Sequence, residues 1–154
     1  MSMLLGLVAL AGAATVMADD LVTSVDFYTD VLYSPPDAWA TATNPTCGSV
    51  DHYTSTIGAN ASVVFEGNKI VVGGMRNAES GVLKVYMDDD EPFVVNLLAE
   101  NVTCGIFFEY DVGNGTHNMT VQLLEAAPIE DDGVTITITN QPVLHLMDIA
   151  CVIR

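Results

Sequence analysis

Thr116-His117-Asn118-Met119-Thr120-Val121-Gln122-Leu123 changes character residue by residue. His117, Met119, Val121 and Leu123 fall on one side, and Thr116, Asn118, Thr120 and Gln122 on the other. Successive side chains of a strand point to opposite faces, so this period of two describes a β-strand with one buried and one wetted face. Val82, Lys84 and Tyr86 alternate in the same way with Leu83, Val85 and Met87. Val134, Ile136 and Ile138 alternate with Thr135, Thr137 and Thr139. No long stretch has helical period. Strands with one solvated face belong to antiparallel sheets.

Other segments are apolar on both faces and read as central strands: Lys69 to Val72, Phe93 to Leu98, Ile106 to Phe108 and Val143 to Ile153. Turn signals separate them at Glu66-Gly67-Asn68, Gly73-Gly74, Asp88 to Pro92, Gly113-Asn114-Gly115 and Asp131-Asp132-Gly133. The stretch from Tyr33 to Thr56, rich in Pro, Ala and Thr, reads as a long surface loop. About eight or nine strands at this spacing predict an all-β chain, a two-sheet antiparallel β-sandwich of jelly-roll type. There is no internal repeat.

The first 18 residues, MSMLLGLVALAGAATVMA, read as an export signal. An apolar core from Met3 to Ala11 gives way to small residues, and Val16-Met17-Ala18 offers a cleavage site after Ala18. The leader departs from the usual pattern in having no Lys or Arg before its core. Residues 19–154 then form the expected single domain. No second apolar run is long enough for a membrane helix.

Twenty acidic residues face only Lys69, Arg76, Lys84 and Arg154, a net charge of −16. Such a chain repels phosphates, so nucleic acid is excluded as a partner, and anionic lipid is disfavoured. Excess acid suits a mildly acidic extracellular setting, where partial protonation relieves self-repulsion. In an oxidising compartment two of Cys47, Cys104 and Cys151 are expected to pair, in any of three ways. The third is expected to be a buried, inert thiol. Four N-glycosylation sequons begin at Asn60, Asn101, Asn114 and Asn118. Asn114 and Asn118 are close enough that occupancy of one can exclude the other.

The order of landmarks resembles the galactose-binding-like jelly-roll modules of secreted and membrane-anchored proteins of basidiomycete fungi. Asp26-Phe27-Tyr28 leads through Tyr33-Ser34-Pro35-Pro36 to Trp39, and His52-Tyr53-Thr54-Ser55-Thr56-Ile57-Gly58-Ala59 enters a strand ending Phe65-Glu66-Gly67. Ile70-Val71-Val72-Gly73-Gly74, Val85-Tyr86-Met87-Asp88, Gly115 to Val121 and Met147-Asp148-Ile149 follow in the family's order. The resemblance runs from Phe27 to Val152. Ile149 stands where the family usually has Tyr. Members often continue into a Ser/Thr-rich linker and a membrane helix; with the chain ending at Arg154, a soluble secreted form is expected. The resemblance implies a galactose-binding-like fold and, for many proteins of that fold, carbohydrate binding. Fold alone does not carry function.

The residues themselves offer a few sites. Trp39, beside Tyr33, has a flat ring able to stack on a pyranose or to plug one end of the sandwich. His52 and Tyr53 lie near it in sequence, and Arg76 is a cation able to clamp an anionic sugar or to pair with an acid. These five, Tyr33, Trp39, His52, Tyr53 and Arg76, form the expected ligand surface. His117 is expected to be a hydrogen-bonded, buried histidine. Asp88, Asp89 and Asp90 are weak calcium candidates, because they lack the spacing of a dedicated loop; a solvated turn is the alternative. Asp148, if inward, needs a hydrogen-bond partner.

Catalysis is not expected. Gly-x-Ser-x-Gly, His-Glu-x-x-His and phosphate-loop patterns are missing from the sequence, and no pair among the acids stands out as a glycosidase dyad. No cofactor is expected. The sequence therefore predicts a secreted binding module with a glycan or cell-wall polysaccharide as partner. The alternative is a structural or protein-interaction domain.

Overall fold

The computed structural model describes residues 21–26, 29–124, 129–131, 134–136 and 142–153. The expected export signal of residues 1–18 and the Phe27-Tyr28 landmark lie outside them. Among the described residues eleven strands follow one another: β1 Leu21–Ser24, β2 Val31–Ser34, β3 Ala40–Asn44, β4 Ser49–Thr54, β5 Asn60–Arg76, β6 Val82–Met87, β7 Phe93–Asn96, β8 Thr103–Leu123, β9 Ile129–Asp131, β10 Val134–Ile136 and β11 Leu144–Ile153. A single 3-10 turn at Pro36–Ala38 is the only helical element among the described residues.

Nine strands join one antiparallel sheet in the order β3-β4-β11-β5-β8-β6-β7, with β1 on β11 and β2 on β5. The register divides it into two halves. Residues 60–67 of β5 lie between β2 and residues 115–122 of β8, which in turn pairs with β6. Residues 69–76 of β5 lie between β11 and residues 103–111 of β8. The long β5–β8 ribbon therefore passes from one layer to the other, and the sheet curls over its own core. That is an all-β jelly roll, as the alternating pattern predicts.

The passage is visible in side-chain parity. Ala61, Val63 and Phe65 are buried before the corner, and Ile70 and Val72 after it. The buried set shifts from odd to even numbers because the ladder slips between Gly67 and Lys69. An irregularity in a period-two pattern moves every later side chain to the opposite face, which is what a strand needs when its inner surface changes layer. One cluster of buried side chains joins both halves, including Val63, Ile70, Leu83, Val85, Met119, Val121, Leu144 and Leu146. Each such side chain contributes roughly 1.5–3 kcal/mol of transfer free energy.

Several sequence expectations are corrected. The predicted surface loop from Tyr33 to Thr56 contains the β3–β4 hairpin. Its Ala and Thr residues carry little apolar pattern because β3 is largely exposed, yet Thr favours strands. The Asn44 side chain accepts from the Thr46 and Cys47 amides, and Gly48 at φ +70° closes the turn. Glu66-Gly67-Asn68, Gly73-Gly74 and Gly113-Asn114-Gly115 are not chain reversals; they are bends and register shifts inside β5 and β8. Phe93 to Leu98 is not central either. β7 is an edge strand, with Phe93 and Val95 packed on the core while Val94 faces solvent.

The Cys47–Cys104 bond settles the pairing that the sequence left open. Cys151 stands outside it and is buried in the core, where desolvation pushes its thiol pKa up. β4 pairs with β11 only over Leu144, His145 and Leu146. Beyond that point the disulfide and a contact from Asn44 Nδ2 to Met75 Sδ tie the hairpin tip to β5 and β8.

Candidate functional site

Besides β1 to β2, five connections cross between the two halves: β2 to β3, β4 to β5, β5 to β6, β7 to β8 and β8 to β11. The curl gathers them at one end of the molecule. Hydrogen bonds lace them together: Gly58 N to Leu123 O, Leu97 N to Gly81 O, Ala99 N to Asn77 O and Val143 N to Glu79 O. All five predicted ligand residues lie on or beside these connections. Their side chains part company.

Tyr33, Trp39 and His52 come together. Tyr33 on β2 and His52 on β4 stack with parallel rings at 5.7 Å, and the Tyr33 hydroxyl meets His52 Nδ1 at 3.0 Å. Trp39 packs on Tyr33 with ring centroids 4.9 Å apart. Because β2 and β4 belong to different halves, this cluster bridges the layers at the crossover end. His52 is only 4 % exposed, and burial pushes its pKa down against the pull of Asp51. Trp39 and Tyr33 are half-buried against the core. The indole Nε1 is enclosed with no hydrogen-bond partner among the described residues, which costs roughly 1–3 kcal/mol.

Tyr53 and Arg76 point elsewhere. Tyr53 follows His52, so it faces the opposite side of β4 and packs beside His145 at 6.0 Å. On the same side the buried Asp51 carboxylate is hydrogen-bonded through Oδ2 to His145 Nδ1. Its other oxygen, Oδ1, is enclosed and without a partner among the described residues. Arg76 ends β5 opposite Thr103 and makes no ion pair among the described residues.

A cleft of about 430 Å³ lies between the β3–β4 hairpin and the sheet. Ser49 and the Cys47–Cys104 bridge face Gly73, Gly74, Gly105, Ile106, Met147 and Asp148. Gly74 can carry no side chain there for a steric reason: its Cβ would stand 2.0 Å from the His145 carbonyl oxygen. Asp148 faces outward at this cleft, so it carries no burial penalty. The sequence reading missed this feature. Gly73-Gly74 reads as a turn in the sequence, and Cys47 and Cys104 on the cleft's wall are joined by a bond that only the fold assigns.

The Asp88 carboxylate, one of the weak calcium candidates, is engaged by protein donors. Asp88 turns its carboxylate to His117 Nδ1 at 2.7 Å and to the Asn118 amide at 2.8 Å. Among the described residues no three His, Cys, Asp or Glu side chains gather as a metal site. His117 is half-buried and hydrogen-bonded on both sides, since its Nε2 meets the Gly113 carbonyl at 2.6 Å. Both partners are acceptors, so the doubly protonated ring satisfies both contacts. The Asp88 hydrogen bond holds the His117 pKa above its ordinary value, and the Asn118 amide followed by His117 lowers that of Asp88.

No family model matches the chain, and no curated protein matches its sequence. Solved structures do match its fold. The C-terminal CBM6 of LamC, a marine laminarinase from Zobellia galactanivorans, aligns over 87 % of this chain and 100 % of its own, with TM-score 0.51 and 9 % identity. This chain has a jelly-roll fold similar to that of this module. A two-domain esterase active on acetylated mannans, crystallised with mannopentaose, matches at TM-score 0.61 and 12 % identity over 87 % of this chain. The chain covers only 37 % of that esterase, so it corresponds to a part of it. The insecticidal crystal protein Cry2Aa matches at TM-score 0.52 and 8 % identity, over 87 % of this chain and 21 % of its own. The likeness is one of fold, shared by proteins of different roles. No described helix is long and apolar enough to cross a membrane.

Proposed function

We propose that this chain is a secreted, non-catalytic carbohydrate-binding module of the fungal galactose-binding-like type, with residues 19–154 as its single domain. The observation that carries the reading is the alignment of a complete carbohydrate-binding module, end to end, on 87 % of the chain. The disulfide agrees with an oxidising compartment. Sugar contact falls at the crossover end, where the solvent-facing part of Trp39 and the edge of Tyr33 offer an aromatic surface held rigid by His52. Tyr53 and Arg76 lie to the sides of that surface and contribute as flanking groups. A rigid aromatic anchor loses little side-chain freedom on binding, the arrangement that favours affinity for a weakly hydrophobic ligand.

The test is retention of the exported protein on chitin, glucans and mannans at mildly acidic pH. Saturable retention is expected, lost in Trp39→Ala and weakened in Trp39→Phe, with thermal melts showing that the variants remain folded. Complete lack of retention on all three polymers sinks the reading. So does hydrolysis of a glycan that disappears on removal of one carboxylate.

A further inference from the structure

Leu32 and Val64 point outward from β2 and β5 and are 73 % and 65 % exposed. They are diagonal neighbours, because Leu32 pairs with Ser62 and Val64 lies two residues further along β5. Two large aliphatic side chains side by side on a sheet face leave apolar surface in water, which carries a free-energy cost and invites association. The register partner of Val64 across the β5–β8 ladder is Asn118, the first residue of the sequon Asn118-Met119-Thr120. Direct partners place their Cβ atoms about 5 Å apart. Asn118 is exposed, and with Leu32, Ser62 and Val64 it lines one groove.

The backbone aims this side chain. The Asn118 amide donates to Asp88 Oδ1, and its carbonyl accepts from the Asp88 amide at 2.8 Å. Asn118 therefore stands on the outer face with its direction fixed by both neighbouring strands. Thr120 lies on the same face, its hydroxyl 2.7 Å from that of Ser62. The other sequons lack this setting. Asn60 is half-buried opposite Gln122, Asn114 sits among the glycines of the corner, and Asn101 lies in a connection.

We propose that Asn118 carries an N-linked glycan whose first sugar rings lie over Val64 and Leu32, so that the chain's own carbohydrate closes this apolar face. The donor is a lipid-diphosphate-linked oligosaccharide of the secretory route. The Asn118 amide nitrogen forms a bond to the anomeric carbon, the bond from that carbon to the diphosphate oxygen breaks, one amide proton is lost, and the lipid diphosphate leaves. The C–H face of the first ring then covers the aliphatic side chains while its hydroxyls stay in water. The proposal rests on the export part of the functional reading and is independent of the sugar-binding part.

The experiment uses the full chain secreted from a glycosylating eukaryotic culture. Peptide mass mapping reads occupancy at Asn118. Apolar-dye fluorescence and size-exclusion chromatography compare the exported protein, the same protein stripped enzymatically of glycan, Asn118→Gln and Asn101→Gln. An occupied Asn118 is expected. Losing its glycan should raise dye fluorescence severalfold or deplete the monomer peak, whereas Asn101→Gln should do neither. Leu32→Ser with Val64→Thr in the Asn118→Gln background should restore the low dye signal. A bare Asn118 in exported protein overturns the proposal, as does retention of the whole chain inside the cell without sugar. An unchanged dye signal and monomer peak after stripping also overturn it. Polysaccharide retention of the same samples reports on the sugar-binding reading alone, so the two can fail separately.

Discussion

The two ends of this sandwich each hold a histidine, and the two are held in opposite ways. At the crossover end His52 is enclosed between Tyr33 and the core, and burial drives it toward the neutral ring. At the corner His117 lies between the Asp88 carboxylate and the Gly113 carbonyl, and those acceptors favour the charged ring. One end is fixed by packing and a covalent bridge, the other by polar contacts near water. The same residue type therefore reports desolvation at one end and charge pairing at the other.

The strongest way to break this contrast is to remove the bridge at the crossover end. A loop closed across 57 residues corresponds to about 4 kcal/mol of chain entropy, so Cys47→Ser with Cys104→Ser should lower the urea midpoint sharply. The His117 resonances should stay in place until global unfolding. An unchanged midpoint would show that packing alone anchors the hairpin.

Next comes the aromatic plug. Trp39→Ala should cost about 3 kcal/mol and Trp39→Phe about 1 kcal/mol, because the first opens the end of the core and the second keeps most of its ring. Equal losses in thermal melts would mean that the Trp39 ring is not a packing element.

The corner should respond more weakly. Asp88→Asn keeps a residue that tolerates the left-handed backbone found there, φ +49°, and removes the charge. Stability should fall by about 1 kcal/mol or less, since Asp88 is well exposed and solvent screens the pair. The His117 titration midpoint should drop toward its ordinary value. A midpoint that does not move would assign the raised pKa to the Gly113 carbonyl instead.

The smallest and most diagnostic effect is the sign of the pH dependence. His117, raised in the folded state, contributes stability that is full below its ordinary value of about 6.5 and is lost as pH rises through the folded value. His52, lowered, contributes stability present above about 6.5 and lost as pH falls through its folded value. Asp88, lowered, contributes above about 3.9 and loses its share in stronger acid. His52→Phe should therefore tilt the stability curve between neutral and mildly acidic pH toward acid, and His117→Asn should tilt it toward neutral. Tilts in the same direction would undo the comparison.

Much of the architecture was legible in the sequence. The period-two stretches at residues 82–87 and 116–123 are β6 and the end of β8, and their apolar positions are buried as read. What misled was glycine. Gly67, Gly73-Gly74 and Gly113 to Gly115 signal local departure from a regular strand, but a bulge and a reversal use the same residue, and only long-range pairing tells them apart. The β3–β4 hairpin was illegible because its outer strand buries almost nothing and so imprints no hydrophobic period. Among the site residues, Tyr33, Trp39 and His52 met as a cluster, while Tyr53 was turned away by strand parity alone.

Sequence by itself determined the all-β class, the net charge of −16, and the positions of every sequon and cysteine. These are properties of local pattern and composition, written residue by residue. Tertiary structure alone decided that Cys47 pairs with Cys104, that burial lowers the His52 pKa while Asp88 raises that of His117, and that Asn118 stands beside Val64. Each of those depends on which distant strands the curled sheet brings within a few ångströms, and no local pattern encodes that distance.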